Sequence, residues 1–218
     1  GFGSANFPPF QDTIPDDKPT PVQLEPSPEV PASPVLQRSG LAVSSSADLP
    51  ATAQLSDEAR EIMVEDMPIP QFVELLASRE QFLAALRTVA HSLSKKSAVE
   101  WACLCVRAAA GENMTKADEA AVKAAEAWVA EPTEELRRKA QTAAEATQLS
   151  TPAGWVAMAA FFSSGSLGPA NTPVVPPEPH LTPHAAAGAV MLAAVATQPE
   201  KASQRYTEFL RLAQDFIK

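Results

Sequence analysis

Few side chains in this sequence have types and spacings suited to chemistry. They are two cysteines two residues apart, three histidines, and one acid and one base set in an apolar run. Cys103 and Cys105 lie in Glu100-Trp101-Ala102-Cys103-Leu104-Cys105-Val106-Arg107. A metal or a disulfide needs both sulfurs to converge. On a helix, residues two apart point about 200° away from each other. Cys103 then falls with Val99, Ala102 and Val106, and Cys105 with Ala98, Trp101 and Ala108. Both read as free thiols acting as small hydrophobes in a core, and the disulfide geometry is wrong.

His180 and His184 are four apart, the spacing at which a continuous helix offers two metal ligands. Thr182-Pro183 is a cap followed by a first-turn proline, however, which leaves His180 outside the helix. Glu178 is the only nearby acid, so the pair reads as a surface feature. His91-Ser92 has no orienting acid. Ser163-Ser164-Gly165 lacks the context of a nucleophile elbow, and the glycines from 165 to 168 match no phosphate loop. Glu100 and Arg107 are a structural network between helices or a specificity feature of an interface. With His91 they are the semi-buried polar candidates for a helical enzyme. No catalytic residue, cofactor or metal site is expected.

The elements that would carry these residues are helical from Leu55 onward. Ser56, Thr115, Thr133 and Thr151-Pro152 each begin a helix as N-caps, and Ser78 with Gln81 reads as a capping box. Phe82, Leu86, Val89, Ala90 and Leu93 form one apolar stripe, and Ala202, Tyr206, Phe209, Leu210, Ala213 and Phe216 form another. Residues 97–110, 153–162 and 185–196 are apolar nearly all round, so they belong at the centre, with alanines and Gly188 allowing close approach. Trp101, Cys103, Cys105, Trp128, Trp155, Phe82, Leu86 and Phe209 are the expected core. Glu134–Arg138 and Glu135–Lys139 have ion-pair spacing, so Arg137-Arg138-Lys139 reads as a solvated face. No stretch alternates with period two. The fold class is all-α: a compact bundle of about eight helices, residues 54–218, behind a disordered tail, residues 1–53.

That tail holds ten of the chain's 21 prolines and six acids against two bases. It cannot bury enough apolar surface to offset chain entropy. The P-x-x-P spacings at Pro28, Pro31 and Pro34 make it a tether or a docking peptide. The start, Gly1-Phe2-Gly3-Ser4, reads as a non-native addition. A second proline-rich segment, residues 163–181, interrupts the helical body. Loops this long inside a domain are usually functional or mobile. Val174, Val175, Pro176 and Pro177 are the candidate partner-binding residues, with Val174-Val175 also able to dock the loop on the body.

Net charge is −9 over 218 residues. That weighs against nucleic acid and anionic membrane, which ask for clustered Lys and Arg. No window approaches the roughly 20 apolar residues of a membrane span. Two cysteines in a chain of this length suit a reducing, cytoplasmic compartment.

The runs FLAALRTVAHSLSKKSAVEWACLCVRAA, AEAWVAEPTEELRRKAQ and TPAGWVAMAAFFSSGSL with PPEPHLTPHAAAGAVMLAA resemble a family of uncharacterised bacterial helical proteins, over about residues 70–197. The resemblance implies an association with type VI secretion gene clusters and carries over no catalytic residue. The expected function is a non-enzymatic, protein-binding adaptor or accessory protein of bacterial secretion machinery. An immunity protein that binds and blocks a toxin is the alternative, and a helical enzyme the third. A nuclease inhibitor would show a dense acidic face, whereas here acids and bases are interleaved.

Overall fold

Serine and threonine hydroxyls set the helix starts wherever they meet orphan backbone N–H groups. In the computed structural model, which describes residues 40–63 and 66–218, nine α-helices and no strands occur among the described residues. They are α1 (Asp57–Glu61), α2 (Ile69–Ser78), α3 (Phe82–Ser92), α4 (Lys95–Ala110), α5 (Lys116–Ala130), α6 (Glu134–Ala146), α7 (Pro152–Phe161), α8 (Leu181–Val195) and α9 (Ala202–Ile217). Ser56, Thr115, Thr133 and Thr151 accept from the backbone N–H groups of Ala59, Asp118, Leu136 and Gly154, as their positions predicted. Ser94 does the same for α4.

Two expected starts differ. Ser78 is the last residue of α2 and its hydroxyl donates to the Leu75 carbonyl, so it makes no capping box. The chain instead reverses through Glu80 at φ 59°, and α3 begins without a side-chain cap. Helix α8 begins at Leu181 with His180 as the flanking residue, which places Thr182 inside the first turn, fully buried.

The apolar helices occupy the centre as their composition requires. Most of α7 and α8 is buried alanine, valine or glycine, and α4 adds Val99, Trp101, Cys103, Cys105 and Val106. Trp101 is fully buried, and its indole Nε1 donates to the Phe209 carbonyl of α9 at 3.0 Å. The amphipathic α2, α3, α5, α6 and α9 wrap this layer. Leu86, Trp128 and Phe209 are buried as expected; Trp155 and Phe82 are only half-buried. Phe82 stacks on Tyr206 of α9, with 5.7 Å between ring centroids.

Gly154, not Gly188, makes the close helix approach. A Cβ at Gly154 would lie 2.0 Å from Thr147 Oγ1, where α7 crosses the end of α6. A Cβ at Gly188 would meet nothing within 4 Å, because that residue faces open space.

The tail boundary expected at residue 53 also moves. Ser94 N–H donates to the Gly40 carbonyl at 2.6 Å, Ala42 and Val43 N–H groups donate to Ser92 O, and Ser46 N–H donates to Met67 O. Leu41, Val43 and Leu49 pack against the core, and short 3₁₀ turns at Ser46–Asp48 and Ala51–Ala53 bury Ser46 and Ala53. Backbone pairing of this kind follows from the unsatisfied groups at the α3–α4 junction, which low hydrophobicity in residues 40–53 does not reveal. Gly40 itself lies against the end of α9; a Cβ there would be 2.9 Å from Phe216 O. The tail prolines Pro28, Pro31 and Pro34 lie outside the described residues. Truncation to Gln54 is therefore expected to melt on the order of 5–10 °C below truncation to Gly40, from several lost hydrogen bonds and apolar contacts. Equal melting temperatures by calorimetry would show that residues 40–53 contribute no stability.

Candidate functional site

The long connection between α7 and α8 is held to the body by two arginines of α6. Arg137 is fully buried. Its guanidinium donates to both Glu134 carboxylate oxygens at 2.6 and 2.7 Å, to the Phe161 carbonyl at 2.7 Å and to the Ser166 carbonyl at 3.1 Å. It also sits 4.6 Å from the centroid of the Phe161 ring, a cation–π contact. Arg138 donates to the carbonyls of Ser166 and Gly168 at 2.9 and 2.8 Å. Hydrogen bonds from Arg137 and then Arg138 hold the Glu134 carboxyl down at about 2. Lys95 Nζ adds a bond to the Ser163 carbonyl at 2.8 Å.

Gly165 passes this clamp at φ 69°, and a Cβ there would lie 2.8 Å from Arg137 Nη2. Only glycine meets both conditions without strain. Beyond it the loop folds on itself: Leu167 N–H donates to Val175 O at 2.8 Å, and Val175 N–H to Ser166 Oγ at 3.0 Å. The result is a strap fastened at its base.

The expected role of Val174-Val175 in docking the strap inward is not what the structure has. Val174 is 74% exposed and Val175 52%, so their side chains face outward while polar groups do the fastening. Pro176 is exposed and Pro177 half-buried. Arg137 was the residue missed: its cluster reads as a solvated face by charge alone. Its phase relative to Ala140 and Ala144, both buried, places it on the inner side of α6.

All three histidines of the chain also meet, which spacing did not indicate. His91 on α3 packs edge-on against His184 at 5.0 Å between centroids, and His184 against His180 at 5.2 Å. His180 and His184 are thus no isolated surface pair. His184 Nδ1 lies 3.1 Å from the His180 carbonyl. Among the described residues no group of three or more His, Cys, Asp or Glu is arranged to hold a metal ion. Burial first, then His184, His180 and Arg87, lowers the His91 pKa to about 4. A base depressed in the folded state keeps its full stabilising contribution above its unfolded value of about 6.5 and loses it as pH falls toward 4. Unfolding by urea is expected to show about 2 kcal/mol lost between pH 7 and pH 5, a window above most carboxylate titrations. His91→Gln is expected to remove most of that slope; an unchanged slope would put its source elsewhere.

Arg107 is engaged separately from the histidines. Arg107 is held by Glu126 at 2.8 Å and Glu119 at 3.2 Å, both on α5, and Lys123 joins Glu119 at 3.2 Å. Cys103 and Cys105 are buried free thiols whose pKa values burial pushes up, which suits packing over reactivity. Three clefts of about 800, 420 and 320 Å³ open between α2 and α9, at the ends of α4, α7 and α8, and beside Trp155 and Gly188. His91, Glu100 and Arg107 line none of these three. No helix of the described residues is long and apolar enough to cross a membrane.

A model for a family of unknown function matches residues 72–217, from α2 through α9. No curated protein and no solved structure matches the chain.

Proposed function

The chain belongs to that family of unknown function, DUF6931, and we propose that it is a non-enzymatic adaptor docking a protein partner through the 163–180 strap. The observation that supports this is the pairing of a rigid base with an apolar tip. A buried arginine fastens the strap, yet Val174 and Val175 project into solvent. Side chains that contribute nothing to the fold's own core, on a loop fixed by several charge-assisted bonds, are what a docking element needs. Fixing the loop in advance lowers the entropy lost on binding. A binding role is favoured over a catalytic one because Arg107 is engaged by Glu126 and Glu119 and His91 packs against His184, and neither Arg107 nor His91 lines the three clefts. The resemblance to proteins of bacterial secretion clusters makes type VI secretion components the first partners to look for.

The test is a pull-down from the native host with the full chain and with Val174→Asp/Val175→Asp. Secretion components are expected with the unaltered chain and at least about tenfold less with the variant, by analogy with truncating an interface hot spot. Equal recovery would remove the strap as the docking element. Recovery of a single toxin in their place would make the protein an inhibitor.

A further inference from the structure

The strap's outer segment is Pro173-Val174-Val175-Pro176-Pro177-Glu178-Pro179, and its prolines at 173, 176 and 179 recur every third residue. An extended polyproline helix has three residues per turn, so this spacing puts all three rings on one edge. Pro173, Pro176 and Pro179 are all exposed; residues 173–178 form neither helix, strand nor turn, and Pro179 enters the turn in which Leu181 N–H donates to Glu178 O. The other edges are occupied differently. Val175 is tied through both backbone groups to Ser166 and Leu167, and Pro177 is half-buried.

The segment's backbone also rules out one docking mode. Four of its seven residues are prolines and have no N–H, and the Val175 N–H is already bonded to Ser166 Oγ. Too few donors remain for a partner to add it as a strand to a sheet edge. What remains on offer is a row of rings and valine side chains on a stiff backbone.

We propose that the Pro173–Pro176–Pro179 edge is read as a polyproline helix by a partner groove lined with aromatic side chains. Such grooves bind preformed proline-rich segments by packing rings against rings, at small entropic cost. The inference rests on the strap being the docking element and adds the chemistry of its receptor.

The experiment uses the full chain carrying a photo-crosslinking benzophenone residue at exposed Asn171, irradiated in host lysate, with the crosslinked partner peptide mapped by mass spectrometry. It is run beside Pro173→Ala/Pro176→Ala/Pro179→Ala, beside Pro177→Ala and beside Val174→Asp. Unchanged amide shifts of Leu167 and Val175 establish that each variant keeps the strap fastened. The expected result is a crosslink beside Trp, Tyr or Phe residues of one partner. Capture should fall at least about tenfold in the triple variant and less than about twofold in Pro177→Ala, as loss of an interface's central contacts predicts. Capture abolished by Val174→Asp but indifferent to the triple variant would overturn the polyproline reading while leaving the strap as the docking element. If Val174→Asp changes no crosslink, both readings fall.

Discussion

Replacing Arg137 with methionine is expected to lower the stability of the fold by about 3–5 kcal/mol, the usual loss when one partner of a buried charge network is removed. The guanidinium is fully buried and serves Glu134, the Phe161 carbonyl and the Ser166 carbonyl at once. Methionine fills similar space without supplying a donor, so the Phe161 carbonyl at the end of α7 loses its bond and the Ser166 carbonyl keeps only the one from Arg138. Arg138→Met is the matched comparison. Arg138 keeps 27% of its side chain exposed, and an exposed pair of this kind is worth about 1 kcal/mol or less. Urea denaturation gives both numbers. Amide exchange across residues 163–178 adds the local readout, and it should rise in Arg137→Met well before global unfolding. A cost below about 1 kcal/mol for Arg137→Met would mean the strap is fastened by something other than this network.

Trp101→Ala is expected to cost a similar 3–5 kcal/mol, for a different reason. The ring is the largest fully buried side chain, and it ties α4 to α9 through the Phe209 carbonyl. The central helices α7 and α8 are rich in buried alanine, whose side chains are too short to refill the space, so most of the cavity persists. Trp101→Phe separates the two contributions. It keeps much of the apolar contact and loses the indole bond, worth about 1 kcal/mol, together with a smaller void. Chemical denaturation of the three proteins ranks them. A loss under about 1 kcal/mol for the alanine variant would contradict the central position of α4.

The parts of the fold that were legible in the sequence are those decided locally. Four caps follow from a hydroxyl meeting free N–H groups one turn away, and the apolar α7 and α8 announce their own burial. Reading failed where a distant partner decides. Ser78 had the right spacing for a capping box, but the turn through Glu80 at φ 59° takes the chain out of register with it. Thr182-Pro183 had the right order, but burial against the bundle draws the first turn back to Leu181. Gly188 and Gly154 look alike in sequence; only the path of α6 distinguishes a contact from an opening. The strap itself was legible as a long, proline-rich interruption with two valines. Its fastening was not, because a buried arginine and an exposed one are the same letter. The meeting of His91 with His184 depends on how α3 and α8 pack, and spacing 93 residues apart holds no trace of it.

The contact of Gly40 with the last turn of α9 brings the first described residue of the helical body beside its last helix. A domain whose ends adjoin can be set into the surface loop of another protein without spreading that loop apart. It can also be relinked end to end and opened elsewhere, since few backbone contacts depend on where the break falls. The strap lies between α7 and α8, well away from both of those ends, so either rearrangement would carry it intact.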